Sequence, residues 1–421
     1  MRAQISPFFQ SPLTVIKSPT RRTPPPLLVF QEISSWDPET LAGIGRNAYE
    51  SVAQADSEAQ WLQMGWMFYN DRRHWTPENV EAYLSAVPKG KVTILDYYTE
   101  HTPIWTVTEK FYGQPYIFCY LGNFGGNTRL AGPFRKMSER ITDALENGNA
   151  GGIGCTLEGF GINRWMFEYT LSRAWDTGVS DDDYLHSLDR RHHSPDGFWK
   201  NMADSIYLRG SFSEGPLICD RPCPEKWSSW RVINSTPYKP EVLERAFRTL
   251  VEHGGNSRIY RADIAEIGCQ VLGNRFLALR DRFTEECRSG SVEKATETAS
   301  EMRDILSRAD ALASTHPEMR LDKWLSSAER FGESPEERAY YRYNALHLIT
   351  TGGYSERMND YANRLWGGLV KEYYVPRWDL FFERMLSAAT EKRPFDQKAF
   401  NQECWELEQR LLEEIPCNEK S

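Results

Sequence analysis

The stretch GGIGCTLEGFGIN, residues 151–163, sets one acid, Glu158, among five glycines and several apolar residues. An apolar run that ends in glycines reads as a strand opening into a loop, where burying an unpaired carboxylate is costly. Either Glu158 is a badly placed core residue or a carboxylate is required where the strand opens. Glycine on both sides leaves room for a ligand and little else to pair with the acid, which favours the second reading. Other polar and aromatic residues fall at the same place in each neighbouring unit. Met64, Gly65 and Trp66 close the run 59–66, Asp96 and Glu100 follow from the run 91–98, and Asn123 lies in YLGNFGGN. Singly, Trp66 could be core, Asp96 could cap the next helix, and Asn123 could serve the glycine turn after it. Four coincidences at one periodic position point instead to a shared mouth. A carboxylate in an aromatic-lined, sugar-sized cleft suits glycoside hydrolysis, which usually needs two carboxylates. One protonates the leaving oxygen and the other attacks the anomeric carbon or activates water. A retaining pair sits roughly 5–5.5 Å apart, so the partner must come from another strand end.

The elements that would position these residues alternate over 27–178. LLVF (27–30) is a weak strand candidate, and DPETLAGIGRNAYESVAQ opens a helix with Asp37 as N-cap and Pro38 in the first turn. AQWLQMGW (59–66) reads as a strand, TPENVEAYLSAV (76–87) as a capped helix, and KVTILDYY (91–98) as a buried strand. PYIFCYLGNFGG (115–126) is a strand ending in glycines, 129–148 turns helical in its later part, and NAGGIGCTLEG is the last strand. This βαβα repetition predicts buried parallel strands, four of them or five with LLVF. The strand carboxyl ends of a (β/α)8 barrel open onto its catalytic face. From 179 to 421 helical periodicity dominates and strand signals almost vanish, which predicts an α-helical C-terminal domain. Two aromatic segments, 344–368 and 369–385, interrupt it.

Composition narrows the classes. A 421-residue chain has room for two or three domains, and its 14 Trp, 20 Tyr and 20 Phe suit a large core or a sugar-binding cleft. A net charge of −9 with no basic stripe excludes the electrostatic footprint of a nucleic-acid binder. No apolar run approaches the roughly 20 residues needed to span a bilayer. Eight cysteines are too few for a disulfide scaffold. Cys219 and Cys223 form a lone C-x3-C, read equally as a local disulfide or two free thiols and hardly as a zinc site. No metal or cofactor is expected. Residues 1–26 show no charged-then-apolar-then-cleavage order of a signal peptide and read as a disordered or non-native leader.

The segments LQMGWMFY, ILDYYTE, QPYIFCYLGNFGGN, GIGCTLEGFGIN, NDYANRLWGGLVKEYYVPRW and FNQECWELEQ follow one another from about residue 37 to 412. In that combination they resemble the α-N-acetylglucosaminidases, glycoside hydrolase family eighty-nine. The resemblance implies a small N-terminal domain, a (β/α)8 barrel and an α-helical C-terminal domain. It implies retaining exo-hydrolysis that releases terminal α-linked N-acetylglucosamine from heparan-type glycans or glycoconjugates, and a lysosomal, vacuolar or secreted location. Carried over by motif, Glu158 is the nucleophile, while Trp66, Leu121, Asn123 and Phe124 line the sugar site. Trp378, in VPRW, would reach over from the helical domain to close the pocket. The acid/base glutamate of such enzymes belongs to an Asn-Glu pair upstream of WDPETL. Glu32 lies near that place, with Gln31 where the pair has Asn. Gly122 stands where the family motif carries a His, and Tyr97 replaces an apolar residue.

The expected layout is a leader at 1–26, a partial (β/α)8 barrel at 27–178 holding only its second half, and the helical domain at 179–421. A full barrel takes typically ~250 residues, so the chain reads as a truncated member, expected to show little or no activity alone. A non-catalytic carbohydrate-binding remnant is the alternative reading, and a helical interaction protein with a vestigial α/β part a third. The partner of either sugar-directed reading is a glycan ending in N-acetylglucosamine.

Overall fold

Short apolar runs bounded by glycine, proline and asparagine or aspartate become strands here, and the capped 3.6-period runs between them become the crossovers. The computed structural model describes residues 27–28, 37–159, 161–210, 215–227, 229, 233–353 and 355–415. The strands are β1 Leu27–Leu28, β2 Trp61–Met64, β3 Val92–Asp96, β4 Tyr116–Tyr120 and β5 Gly152–Cys155. They lie side by side in chain order, all parallel. Register places Trp61 beside Val92, Asp96 beside Phe118, and Tyr120 beside Cys155. Helices Pro38–Ala55, Pro77–Ser85 and Phe134–Glu146 fill the connections. Asp37 and Thr76 cap the first two, their side chains accepting from Thr40 N–H and Asn79 N–H. A parallel β-α repeat of this kind followed by a helical region is part of a (β/α)8 barrel joined to an α-helical domain, as expected.

The strands end where close approach forces them to. Gly65 N–H donates to Leu95 O at 2.8 Å, and a Cβ there would stand 2.6 Å from that oxygen. The expected strand 59–66 therefore stops at Met64, and Trp66 starts a short helix, Trp66–Asn70. In β2 and β3 buried and half-exposed residues alternate, and every residue of β5 is half-exposed. Among the described residues β5 is an edge strand, and its residues are half-exposed rather than buried.

Beyond residue 179 the described residues are mostly helical. The helix Arg258–Arg288 packs on Val292–Ser314, its Ser257 cap accepting from Tyr260 N–H. Phe276, Phe283, Tyr373, Trp378, Phe381, Phe382 and Phe400 form the aromatic heart of this core. Such rings bury about 150–250 Å² each and dominate packing energetics.

The chain folds as two compact units. Among the described residues, one comprises those up to Leu121 with Lys136–Thr156 and Phe167–Gly178, and the other Gly122–Arg135, Leu157–Met166 and those from Val179 on. The loops after β4 and β5 group with the helical unit. Glycines permit close contacts within these loops. A Cβ on Gly125 would lie 2.1 Å from Tyr361 O, and one on Gly126 2.5 Å from Gly159 Cα. Only bare backbone allows such contact, and both residues take the left-handed φ, +64° and +63°, that glycine adopts without strain. Residues 1–26 lie outside the described residues.

Candidate functional site

In the helical unit three stretches meet: the loop 122–127, the turn 157–159 and the segment 359–366. Glu158 is exposed, and its Oε2 accepts from Gly125 N–H at 2.7 Å and from the Tyr361 hydroxyl at 2.5 Å. Neither donor was legible as such from the sequence. The backbone donor exists because the glycine pair turns its amide outward, and the hydroxyl because the 359–366 segment leaves the helical pattern. Burial and the neighbouring Glu158 charge, to which it donates, push the Tyr361 phenol far above its ordinary range. It therefore stays a donor at any physiological pH.

Arg364 knits the same stretches. Its Nη1 donates to Gly125 O at 3.0 Å, Ala362 O at 2.8 Å and Asn363 O at 3.0 Å, and a Cβ on Gly159 would stand 2.4 Å from its Nη2. Burial lowers its guanidinium to about 10. Leu365 N–H donates to Thr128 Oγ1 at 2.6 Å, a further tie between the glycine loop and the segment. Behind them Asp360, at φ +59°, receives Arg377 through two hydrogen bonds of 2.8 and 2.7 Å, both side chains fully buried. Paired guanidinium and carboxylate planes of this kind fix geometry as well as charge.

The sequence-derived residues fall into different places. Asn123 and Phe124 belong to the glycine loop beside Glu158, and both are buried. Asn123 Nδ2 donates to Asn127 O at 2.9 Å and Arg129 O at 2.7 Å, so its amide shapes the turn, which is the plain alternative. Its Oδ1 is buried and, among the described residues, has no hydrogen-bond partner. Phe124 O accepts from Asn127 Nδ2 at 3.0 Å. Trp66 and Leu121 belong to the strand-bearing unit. Trp66 is half-buried, its ring 4.9 Å from Tyr97 and 5.0 Å from Tyr69. Leu121 is fully buried, its N–H donating to Glu100 Oε1 at 3.1 Å and Oε2 at 3.2 Å. Glu100, suspected at the strand mouth, is thus spent on that amide.

Two of the sequence-derived residues make structural contacts. The first is Trp378. It is wholly buried in the helical core, edge-on to Phe276 at 4.7 Å, and its indole N–H donates to Ile218 O at 3.0 Å. Asp96 follows the capping alternative: it accepts from Ile104 N–H at 3.3 Å and Trp105 N–H at 3.4 Å at the start of the short helix Ile104–Val107. Burial pushes its carboxyl up to about 8. Cys219 and Cys223 are both free thiols. Glu32, the expected acid/base, lies outside the described residues. Among the described residues no cluster of three His, Cys, Asp or Glu side chains could hold a metal, and no helix is long and apolar enough to cross a membrane. The arrangement offers an accessible carboxylate with one oxygen anchored by two donors, a group suited to nucleophilic or electrostatic work at an electrophilic carbon.

Comparison with known proteins identifies the family. Residues 27–177 match the model of the alpha-N-acetylglucosaminidase (NAGLU) tim-barrel domain, and residues 188–415 that of the alpha-N-acetylglucosaminidase (NAGLU) C-terminal domain. Human alpha-N-acetylglucosaminidase is 29% identical over 403 residues, which cover 90% of this chain and 52% of the relative. A family 89 glycoside hydrolase from Clostridium perfringens, solved with PUGNAc, superposes with a TM-score of 0.77 at 21% identity, over 87% of this chain and 43% of that one. A form of the Clostridium perfringens enzyme in complex with its substrate GlcNAc-alpha-1,4-galactose gives a TM-score of 0.79 at 20% identity, over 91% of this chain and 45% of that one. At such identities the superpositions show the shared fold alone. The chain spans about half the length of the curated relative it matches.

Proposed function

This chain belongs to the alpha-N-acetylglucosaminidase family, and from that premise we propose that it is a glycoside hydrolase of that type. The reading is a retaining exo-hydrolysis that releases terminal α-linked N-acetylglucosamine from a heparan-type glycan or glycoconjugate. Glu158 is the nucleophile. The observation that carries this is its carboxylate at the end of β5, accessible and anchored through Oε2 by Gly125 N–H and Tyr361 O–H. A carboxylate that must attack the anomeric carbon has to be both reachable and held still, and this one is both. The bacterial relative's complex with a GlcNAc-terminated disaccharide supports the substrate class. Glu32 is the proposed acid/base, with Trp66, Leu121, Asn123 and Phe124 as sugar-site residues. The roles left to the last three are to shape the wall and the turn, since their side chains are buried. A lysosomal, vacuolar or secreted setting completes the proposal.

The sheet of the described residues has five strands where a closed barrel has eight, so turnover by this chain is expected to be low. Gly122, in the place of the family's His, favours a second reading in which the chain binds N-acetylglucosamine without turning it over. One assay separates the two. The purified chain is incubated with an aryl α-N-acetylglucosaminide, and the anomer first released is read by proton NMR. Release of the α-anomer, abolished by Glu158→Gln in a chain of unchanged circular dichroism, supports hydrolysis with retention. Saturable quenching of tryptophan fluorescence by N-acetylglucosamine without any release supports the binding reading, and release of the β-anomer contradicts the nucleophile.

A further inference from the structure

Tyr361 sits in a segment that helical periodicity does not explain, and the structure shows what holds it there. Its neighbour Asp360 takes the left-handed backbone conformation uncommon for a residue with a side chain, φ +59°. Five donor contacts address the Asp360 carboxylate: two from Arg377 at 2.8 and 2.7 Å, Ser229 Oγ at 2.7 Å, Arg221 N–H at 2.9 Å and Asn359 Nδ2 at 3.3 Å. Asp360 and Arg377 have no exposed surface, and Asp360 N–H is fixed to Thr350 O at 2.7 Å. Separating a buried pair leaves an uncompensated charge, so the backbone entering Tyr361 has one permitted course. That course brings the hydroxyl to Glu158 Oε2.

We propose that Tyr361, seated by the buried Asp360–Arg377 pair, is a positioning residue whose contribution falls on the second half of the reaction, when Glu158 leaves the sugar. The inference rests on the reading of Glu158 as nucleophile. In the first step a Glu158 oxygen bonds the anomeric carbon while the bond to the leaving oxygen breaks, and that oxygen takes a proton from the general acid, Glu32 in the proposal. Glu158 is then an ester, its negative charge spent, and the hydrogen bonds to it weaken. In the second step a water oxygen bonds the anomeric carbon and passes its proton to the same base, and the electron pair of the breaking carbon–oxygen bond returns to Glu158. Hydrogen bonds to a charged acceptor are roughly twice as strong as neutral ones, so the donors strengthen as the carboxylate re-emerges. They speed departure and slightly restrain attack. Gly125 N–H is fixed by its backbone, while the Tyr361 hydroxyl can be removed by one conservative substitution.

The test follows both steps in the full chain with an activated 5-fluoro-N-acetylglucosaminyl fluoride. Mass spectrometry reads the rate at which the covalent adduct forms and, after removal of excess reagent, the rate at which it is lost. Tyr361→Phe is expected to form the adduct within about threefold of the wild-type rate and to lose it about tenfold or more slowly. Asp360→Asn, which keeps the hydroxyl but loosens its seat, is expected to show the same asymmetry in smaller measure. Equal losses on both steps in Tyr361→Phe, or no loss on either, overturn the inference while leaving Glu158 as nucleophile. A wild-type chain that forms no adduct overturns the nucleophile reading, and the inference with it. Should Tyr361→Phe fail to fold, Asp360→Asn decides by the same two rates.

Discussion

Gly125→Ala asks whether the glycine loop is needed to place the donors on Glu158. The added Cβ would meet Tyr361 O at 2.1 Å, its carbonyl carbon at 2.7 Å and Ala362 Cα at 2.9 Å, all backbone atoms that cannot rotate away. Real Cβ contacts begin near 3.0 Å, so the loop or the 361–362 backbone must shift by roughly 0.9 Å in a close-packed region. The left-handed φ of +64° adds a strain of about 1–2 kcal/mol. Gly125 N–H and the Tyr361 hydroxyl converge on one oxygen at 2.7 and 2.5 Å, so a shift of that size takes at least one donor out of range. Losing one hydrogen bond to a charged acceptor costs about 1.5–3 kcal/mol, which is roughly a ten- to hundredfold fall in kcat. The assay is turnover of an aryl α-N-acetylglucosaminide together with thermal unfolding. Gly290→Ala is the control: its φ is +72°, but an added Cβ meets nothing within 4 Å. It shares the backbone strain and spares the site. Gly125→Ala is expected to lose turnover beyond any loss of stability, and Gly290→Ala to lose a little stability only. Equal turnover in the two variants would refute the reasoning.

Further outcomes follow for Trp378 and Asp96. Trp378→Ala removes a fully buried ring from the helical core and is expected to cost about 3–5 kcal/mol in denaturant unfolding. Trp378→Phe, which keeps most of the volume, should leave the affinity for N-acetylglucosamine unchanged, and a large loss of affinity would restore a sugar-facing role. Burial pushes the Asp96 carboxyl up to about 8 in the folded chain, while in the unfolded chain it ionises in the ordinary carboxylate range, near 3.8. Between those values the unfolded chain binds fewer protons, so this group's contribution falls as pH rises from about 4 to 8. Asp96→Asn is therefore expected to raise the melting temperature at pH 8 relative to wild type and to change it little at pH 4, measured by calorimetry. An equal effect at both pH values would show that Asp96 does not titrate this way.

Much of the barrel part was legible because the signals there are local. Asp37 and Thr76 stand where caps are wanted, and the apolar runs ending in glycine became parallel strands in chain order. Glu158 stands out in the sequence for the same reason: an acid between glycines has few structural excuses. What the sequence hid is long-range. Tyr361 lies 203 residues from the carboxylate it binds, in a helical region where nothing in its spacing points to a carboxylate partner. The quoted segment NDYANRLWGG contained it, together with Asp360 and Arg364, and a run of polar residues breaking helical periodicity was the available signal. Trp378 came from the family resemblance alone, and its contacts with Phe276 and Ile218, both distant in sequence, could not be read from the residues around it. Asp96 was open to two readings because a cap and a catalytic acid both sit at strand ends, and it takes the capping one. The interleaved units were hidden because contacts at Gly125, Gly126 and Gly159 depend on what is missing from those residues.

The most direct measurement is peptide mapping of the chain after trapping with the activated fluoro sugar. The expected result is a single N-acetylglucosaminyl ester on the peptide that contains residues 151–163, located at Glu158 by fragmentation and absent from Glu158→Gln. An ester on any other carboxylate, or none while N-acetylglucosamine still binds, would contradict Glu158 as the residue that bonds the sugar.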